Sequence, residues 1–508
     1  MFRNKQYYLL EILILTIITS ISCFEFKISH NEMDIIPYAK NTFRFMSEWN
    51  ISTPLPSNFL FNWILGYLLN NQETLIIIFL GRIISYIFIS YSYIKLSRTL
   101  KINSYLSTLS YVIFLYYFGT GIGDAGEWMV GGLESKVIAY ALTMLSLSCF
   151  LREKYKTGAF LAGIALSTHF LIGGYNILCL SPLLVLIAIR NVLHFKTIVQ
   201  CILLFLITGA IGILSILNII FSNTPKNIQE EGWNIYVNTR VPHHLIPNFE
   251  TNTWIILIIL TLVNLFHLKN KSITKKYLAI YSLSTIFILS IGLLIYYTSE
   301  THYLRIYFFR FSDSMLPLIT ILLLASLNIS SRIRVIIFTL TTLFILPNIL
   351  KEKEIKRFIL RKSYNLESIY KKTDPDIIMT KWIMNNTSDY DIFIVPPEKL
   401  YFCMNTEREV FITWWMLPDQ KEYKTTRLLP NEMIEWYNRL KLLNQNMNFS
   451  TLKEVKKNYS KLDAQSILNI QSTYKSIKYI LTTTSQKLDF PIVKKTEKQI
   501  LYQITITP

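Results

Sequence analysis

The sequence predicts an α-helical polytopic membrane protein of about eleven spans, followed by a C-terminal extracytoplasmic α/β domain. Three observations predict it. First, 51% of the 508 residues are hydrophobic and only 17% are charged, against about a quarter charged in an ordinary soluble domain. Second, the long apolar runs are confined to residues 1–350, whereas 351–508 read as an ordinary charged chain, which puts a domain boundary near Lys351. Third, the basic residues fall largely in alternate short loops between the apolar runs, the asymmetry that orients a membrane protein.

The spans are expected near 7–24, 74–94, 104–120, 134–151, 157–172, 174–190, 197–221, 254–268, 277–297, 312–328 and 335–350. The first follows Arg3 and Lys5 and is long enough to cross, so it reads as an uncleaved anchor. Lys95, Arg98 and Lys101; Arg152, Lys154 and Lys156; Arg190 and Lys196; Lys269, Lys271, Lys275 and Lys276; and Arg332 and Arg334 then all fall on the side of Arg3 and Lys5. The positive-inside rule makes that side cytoplasmic, and an odd span number puts 351–508 outside. A net charge of +18 is thereby accounted for by orientation, with no nucleic-acid partner implied. The five cysteines form no CxxC pair, and four of them lie in apolar runs, so neither a zinc site nor a disulfide framework is expected.

Three pieces are expected outside between spans: a long first loop, 25–73; a short acidic turn, 121–134; and 222–253. Residues 58–71 are apolar but too short to span and read as an interfacial helix. In the outer domain, 391–396, 410–414, 476–482 and 501–506 read as strands, and 431–444 as a helix with Trp436 and Leu440 on one face.

Chemistry-bearing residues gather in the outer pieces. The first loop holds His30, Glu32 and Asp34; the acidic turn holds Asp124, Glu127 and Glu134 among five glycines, with Lys136 just beyond it, and glycines permit close backbone approach. Together these carboxylates suit a divalent cation or a general base. The competing reading is solvated loop carboxylates. Arg240, His243, His244, His302, Arg305 and Arg310 stand against the outer charge trend and suit a phosphate, or alternatively snorkel to headgroups. His169 lies late in the fifth span before Gly173-Gly174, where a tight turn is expected. Glu11 and Arg82, inside spans, read as structural.

This layout resembles the GT-C superfamily of integral membrane glycosyltransferases, which use polyprenyl-phosphate-linked sugars. The segments Gly131–Lys136, Thr168–Gly173, Arg240–His244 and Arg408–Trp414 also resemble a bacterial family of uncharacterised membrane proteins of this architecture. The resemblance implies sugar transfer to an acceptor on the outer face of a bacterial inner membrane, with Asp34 as general base and Asp124 as the second acidic position. It implies that Arg305 and Arg310 bind the lipid phosphate. Glu32, Glu127, Lys136, His169, His243 and His244 complete the candidate substrate-binding set, and magnesium or manganese, if used, would sit on Asp34 and Asp124. Trp414-Trp415 is followed by Met416 where oligosaccharyltransferases have an acid, which argues against transfer to protein. The alternatives carried alongside are a lipid or polysaccharide transporter and a polymerase or ligase of the O-antigen type.

Overall fold

In the computed structural model the described residues are 2–24, 28–48, 58–119, 126–190, 194–220, 224–247, 250–327, 330–351, 377–399, 401–415 and 430–504; at some helical positions, Asp34 among them, only the backbone is described. Helices make up the first part. They are α1 (Phe2–Cys23), α2 (His30–Glu48), α3 (Phe59–Asn71), α4 (Thr74–Thr99), α5 (Ser104–Phe118), α6 (Ser135–Leu151), α7 (Tyr155–Thr168), α8 (Phe170–Ile189) and α9 (Phe195–Ile220). There follow α10 (Lys226–Ile235), a π-helical turn Tyr236–Arg240, α11 (Pro242–Leu245), α12 (Thr251–Leu268), α13 (Ile273–Tyr297), a 3-10 turn Thr301–Ile306, α14 (Arg310–Ala325) and α15 (Ser331–Lys351).

Each expected span overlaps a helix, although 157–172 crosses the break at His169 between α7 and α8; a chain in hydrocarbon must satisfy its backbone hydrogen bonds within itself. Five helices are both long and apolar enough to cross a membrane: Thr74–Thr99, Phe170–Ile189, Phe195–Leu217, Thr251–Leu268 and Ile273–Tyr297. They mark the chain as an integral membrane protein. Tyr7–Cys23 and Ser135–Leu151 are apolar but shorter. The 14 residues of α7 reach only about 21 Å. In α14 nearly every side chain is buried, which makes it the centre of the bundle.

The first outer piece departs from expectation. Residues 30–48, read as loop, form α2, and α2 packs on α3 so closely that a Cβ on Gly66 would lie 2.0 Å from the Ala39 carbonyl oxygen. The Gly173-Gly174 turn is absent as well. Both glycines lie inside α8, and the helix break falls at His169 itself. Gly173 is needed for packing instead, because a Cβ there would meet the Leu166 backbone at 2.3 Å.

The boundary expected near Lys351 adjoins 352–376, which lie outside the described residues. Beyond them come α16 (Ile377–Asn386), β1 (Ile392–Ile394), α17 (Tyr401–Thr406), β2 (Glu409–Val410), α18 (Pro430–Leu443), α19 (Leu452–Tyr459), α20 (Ala464–Thr473), β3 (Ile477–Thr483), β4 (Ile492–Lys495) and β5 (Gln499–Gln503). The sheet order is β2-β1-β3-β5-β4. β1 runs parallel to β2 and β3, while β5 runs antiparallel to β3 and β4. The α/β reading therefore holds, with β4 and four helices added. The strand expected over 410–414 is cut to its first residue; beyond it the Phe411 N–H still donates to the Phe393 carbonyl, and that of Trp414 to the Pro397 carbonyl.

One hydrophobic cluster runs from the bundle through Trp233 and Tyr236 into Trp414, Trp436 and Tyr502 of the C-terminal part. A Cβ on Gly232 would lie 2.4 Å from the Pro430 carbonyl oxygen, so α10 sits directly on the start of α18.

Candidate functional site

The site is built around Glu127, whose side chain is fully buried. Gly126 just before it has φ +56°, a left-handed conformation that glycine takes without strain. That turn delivers Glu127 inward, where its backbone N–H donates to Asp313 Oδ2 at 3.0 Å. Asp313 stands in the first turn of α14, a position favoured for an acid by the helix dipole.

Two cations close on the Glu127 carboxylate. Arg310 Nε lies 2.8 Å from Oε2, and Lys136 Nζ lies 3.5 Å from the same oxygen. Lys136 also lies 3.4 Å from Glu134 and 3.7 Å from the Trp128 ring centroid. Arg310 stacks over the Tyr307 ring at 4.1 Å, and the Tyr307 hydroxyl is hydrogen-bonded to that of Tyr236. Its terminal nitrogens make no hydrogen bond among the described residues. They are the free part of a fork suited to an anion.

Several expected residues join this centre. His169 caps α8, its Nδ1 accepting from the Ile172 N–H at 3.3 Å. A ring nitrogen that accepts carries no proton, so the histidine is neutral with its proton on Nε2. It lies within electrostatic reach of Arg310 and Lys136. His244 packs against Tyr307, ring centroids 6.5 Å apart, and against His243 at 4.1 Å. His243 stands at the solvent-facing rim. Desolvation by its protein neighbours, then the charge of Arg310, hold its pKa below the ordinary histidine value. The chain before α14 is pinned by Tyr175, whose hydroxyl donates to the Ile306 carbonyl, and by Tyr140, which stacks on Phe311.

Other expected residues lie elsewhere. Arg305 stacks over Trp233 at 4.6 Å and pairs with no carboxylate among the described residues. Burial is the main cause that lowers its pKa. Arg240 donates to the carbonyls of Trp414 and Trp415 at 3.2 and 2.6 Å and lies 4.9 Å from the Trp436 ring centroid. It ties the segment between α10 and α11 to the C-terminal part.

Glu32, expected among the substrate-binding groups, is fully engaged within the protein. Its Oε1 accepts from Arg82 Nε at 2.7 Å and the Leu133 N–H at 2.6 Å. Its Oε2 accepts from the Ser29 N–H and hydroxyl at 2.8 and 2.9 Å and also pairs with Arg82. Ser29 and Glu32 thus form a capping box at the start of α2. A Cβ on Gly132 would come within 2.9 Å of Glu32 Oε1, and one on Gly131 within 2.6 Å of the Trp128 ring. Gly131 and Gly132 therefore admit the protein's own side chains.

Asp124 lies in 120–125, outside the described residues, as does the side chain of Asp34 on α2. Among the described residues no three His, Cys, Asp or Glu side chains cluster as a metal ion requires. Sequence reading missed Asp313 and the Tyr236–Tyr307 pair. An acid just inside an apolar span is itself a functional signal, and Asp313 carried it.

No protein-family model and no curated protein matches the chain. Among solved structures, the chain is similar to ArnT from Cupriavidus metallidurans bound to undecaprenyl phosphate, at TM-score 0.45 and 9% identity over 99% of this chain and 98% of that one. It is similar to the apo state of the same protein at TM-score 0.42 and 9% identity, with the same coverage.

Proposed function

We propose that this protein is a GT-C-like membrane glycosyltransferase that moves a sugar from a polyprenyl-phosphate-linked donor to an acceptor at the outer face. The observation that carries the reading is Arg310. Its Nε is fixed by Glu127 and its plane by Tyr307, so the terminal nitrogens are held ready for a phosphate that gains charge as the sugar departs. Arg305, stacked over Trp233 apart from this grouping, is the second cation that the GT-C resemblance assigns to the phosphate. In this reading the acceptor hydroxyl attacks the anomeric carbon and Asp34 takes its proton, while the isoprenoid stays in the bilayer. A magnesium or manganese ion on Asp34 and Asp124 belongs to the same proposal and would assist phosphate departure. Loss of transfer with chelator, restored by the ion, tests it.

The reading is tested by binding of undecaprenyl phosphate to the protein in nanodiscs. Arg310→Gln should weaken binding about tenfold or more, with the fold intact by circular dichroism. Unchanged binding removes Arg310 from the phosphate site. A polymerase or ligase of the O-antigen type, working through arginines and histidine without an acidic base, draws on the same Arg310–His244 grouping. Full activity in Asp34→Asn would favour it.

A further inference from the structure

An apolar groove of about 340 Å³ lies between α6, α7, α8 and α9, lined by Phe150, Tyr155, Ala162, Leu184, Ala188 and Cys201 among others. Its volume falls at the low end of the range of ligand sites, about 300 to 1,000 Å³. α9, which forms one wall, is the least buried of the five long apolar helices, so the groove faces the bilayer. Its other wall runs beside Pro182 of α8. Proline cannot donate to the Leu178 carbonyl one turn earlier, and the Ser181 hydroxyl donates there instead at 2.8 Å.

The groove ends beside the C-terminal ends of α6 and α8 and the N-terminal ends of α7 and α9, and that rim is basic. Lys154 and Lys156 flank Tyr155, Arg190 follows Ala188 by two residues, and Lys196 precedes Ile198, which also lines the groove. Lys156 acts electrostatically on Cys201 inside the groove, so its charge lies close to the mouth. Lys154, Lys156 and Lys196 are exposed and pair with no acid among the described residues. Arg190 leans over the Tyr277 ring at 5.9 Å, and Arg152 is engaged with Thr99 and the Lys95 carbonyl. Glu153 is the only acid in these two connections.

We infer that this groove holds one acyl chain of an anionic phospholipid from the leaflet on the basic side, with its headgroup phosphate on Lys156 and Lys196. Apolar walls explain the chain, and unpaired lysines at the mouth explain the preference for negative charge. Neither feature is part of the Arg310 centre.

The test is native mass spectrometry of the detergent-purified full chain titrated with phosphatidylglycerol or phosphatidylcholine of equal chain length. The expected result is one phosphatidylglycerol retained about tenfold more tightly than phosphatidylcholine. Lys156→Gln with Lys196→Gln, both exposed, should erase that preference. Ala188→Trp, which fills the groove from a half-buried position, should lower retention of both lipids. Equal affinity for the two lipids, or a preference that survives the double lysine variant, would overturn the inference. So would phosphatidylglycerol retention unchanged by Ala188→Trp, which would reduce the site to surface adsorption.

Discussion

Arg310 and Glu127 meet at 2.8 Å in the protein interior, the arginine from the start of the central helix α14 and the glutamate from the turn before α6. The pair fixes the direction of the arginine fork and fastens the acidic turn to the bundle. Asp313 reinforces the same junction by accepting the Glu127 N–H.

Removing one partner of a buried pair strands the other. Glu127→Gln should therefore destabilise the fold by about 3 to 5 kcal/mol, read as a fall in unfolding temperature in detergent. Arg310→Lys keeps a charge but loses the planar fork and the stacking on Tyr307. It should retain more stability than Glu127→Gln and still weaken binding of a polyprenyl phosphate.

Glu32 tests a different kind of residue. Its donors are all internal, so Glu32→Gln should lower stability, with a comparable loss in Arg82→Met. Donor affinity per folded molecule should not change. A selective loss of donor binding with normal stability would return Glu32 to the site.

His243 gives the pH dependence. Its folded pKa is lowered, first by desolvation and then by Arg310, so the free protein holds it neutral near pH 7. A phosphate bound beside Arg310 adds negative charge and raises that pKa. Binding then takes up a proton, and affinity rises as pH falls below the ordinary histidine value of about 6.5. His243→Gln should flatten that rise in a binding titration between about pH 5 and 8. By the same linkage, the lowered pKa makes His243 a source of instability as pH falls below that of the unfolded histidine.

Arg240 joins the segment between α10 and α11 to the Trp414 and Trp415 carbonyls. Arg240→Ala should loosen this junction, seen as faster proteolysis in the C-terminal part while the bundle stays resistant.

The helical ranges were legible because hydrocarbon leaves the backbone few alternatives. The face of α18 was legible too, since Trp436 and Leu440 are four apart and both fully buried. α2 was hidden by its polar sequence and by Pro37, although the Ser29-x-x-Glu32 capping box was readable. The role of Glu32 was not, because Arg82 and Leu133, its partners, are distant in sequence. At His169 the two glycines that followed suggested a turn, yet the histidine ring itself caps the next helix and Gly173 serves packing against Leu166. The Arg310–Glu127–Lys136 grouping depends on which helices become neighbours, and residue types alone indicated only that each could bind a ligand.

The most direct test of the central claim is sugar transfer by purified protein in liposomes carrying a panel of polyprenyl-phosphate-linked sugars, comparing wild type with Asp34→Asn and Arg310→Gln. The account predicts transfer by wild type from at least one donor, and its collapse in both variants while each remains folded. No transfer by wild type from any donor, or equal transfer in all three proteins, would contradict it.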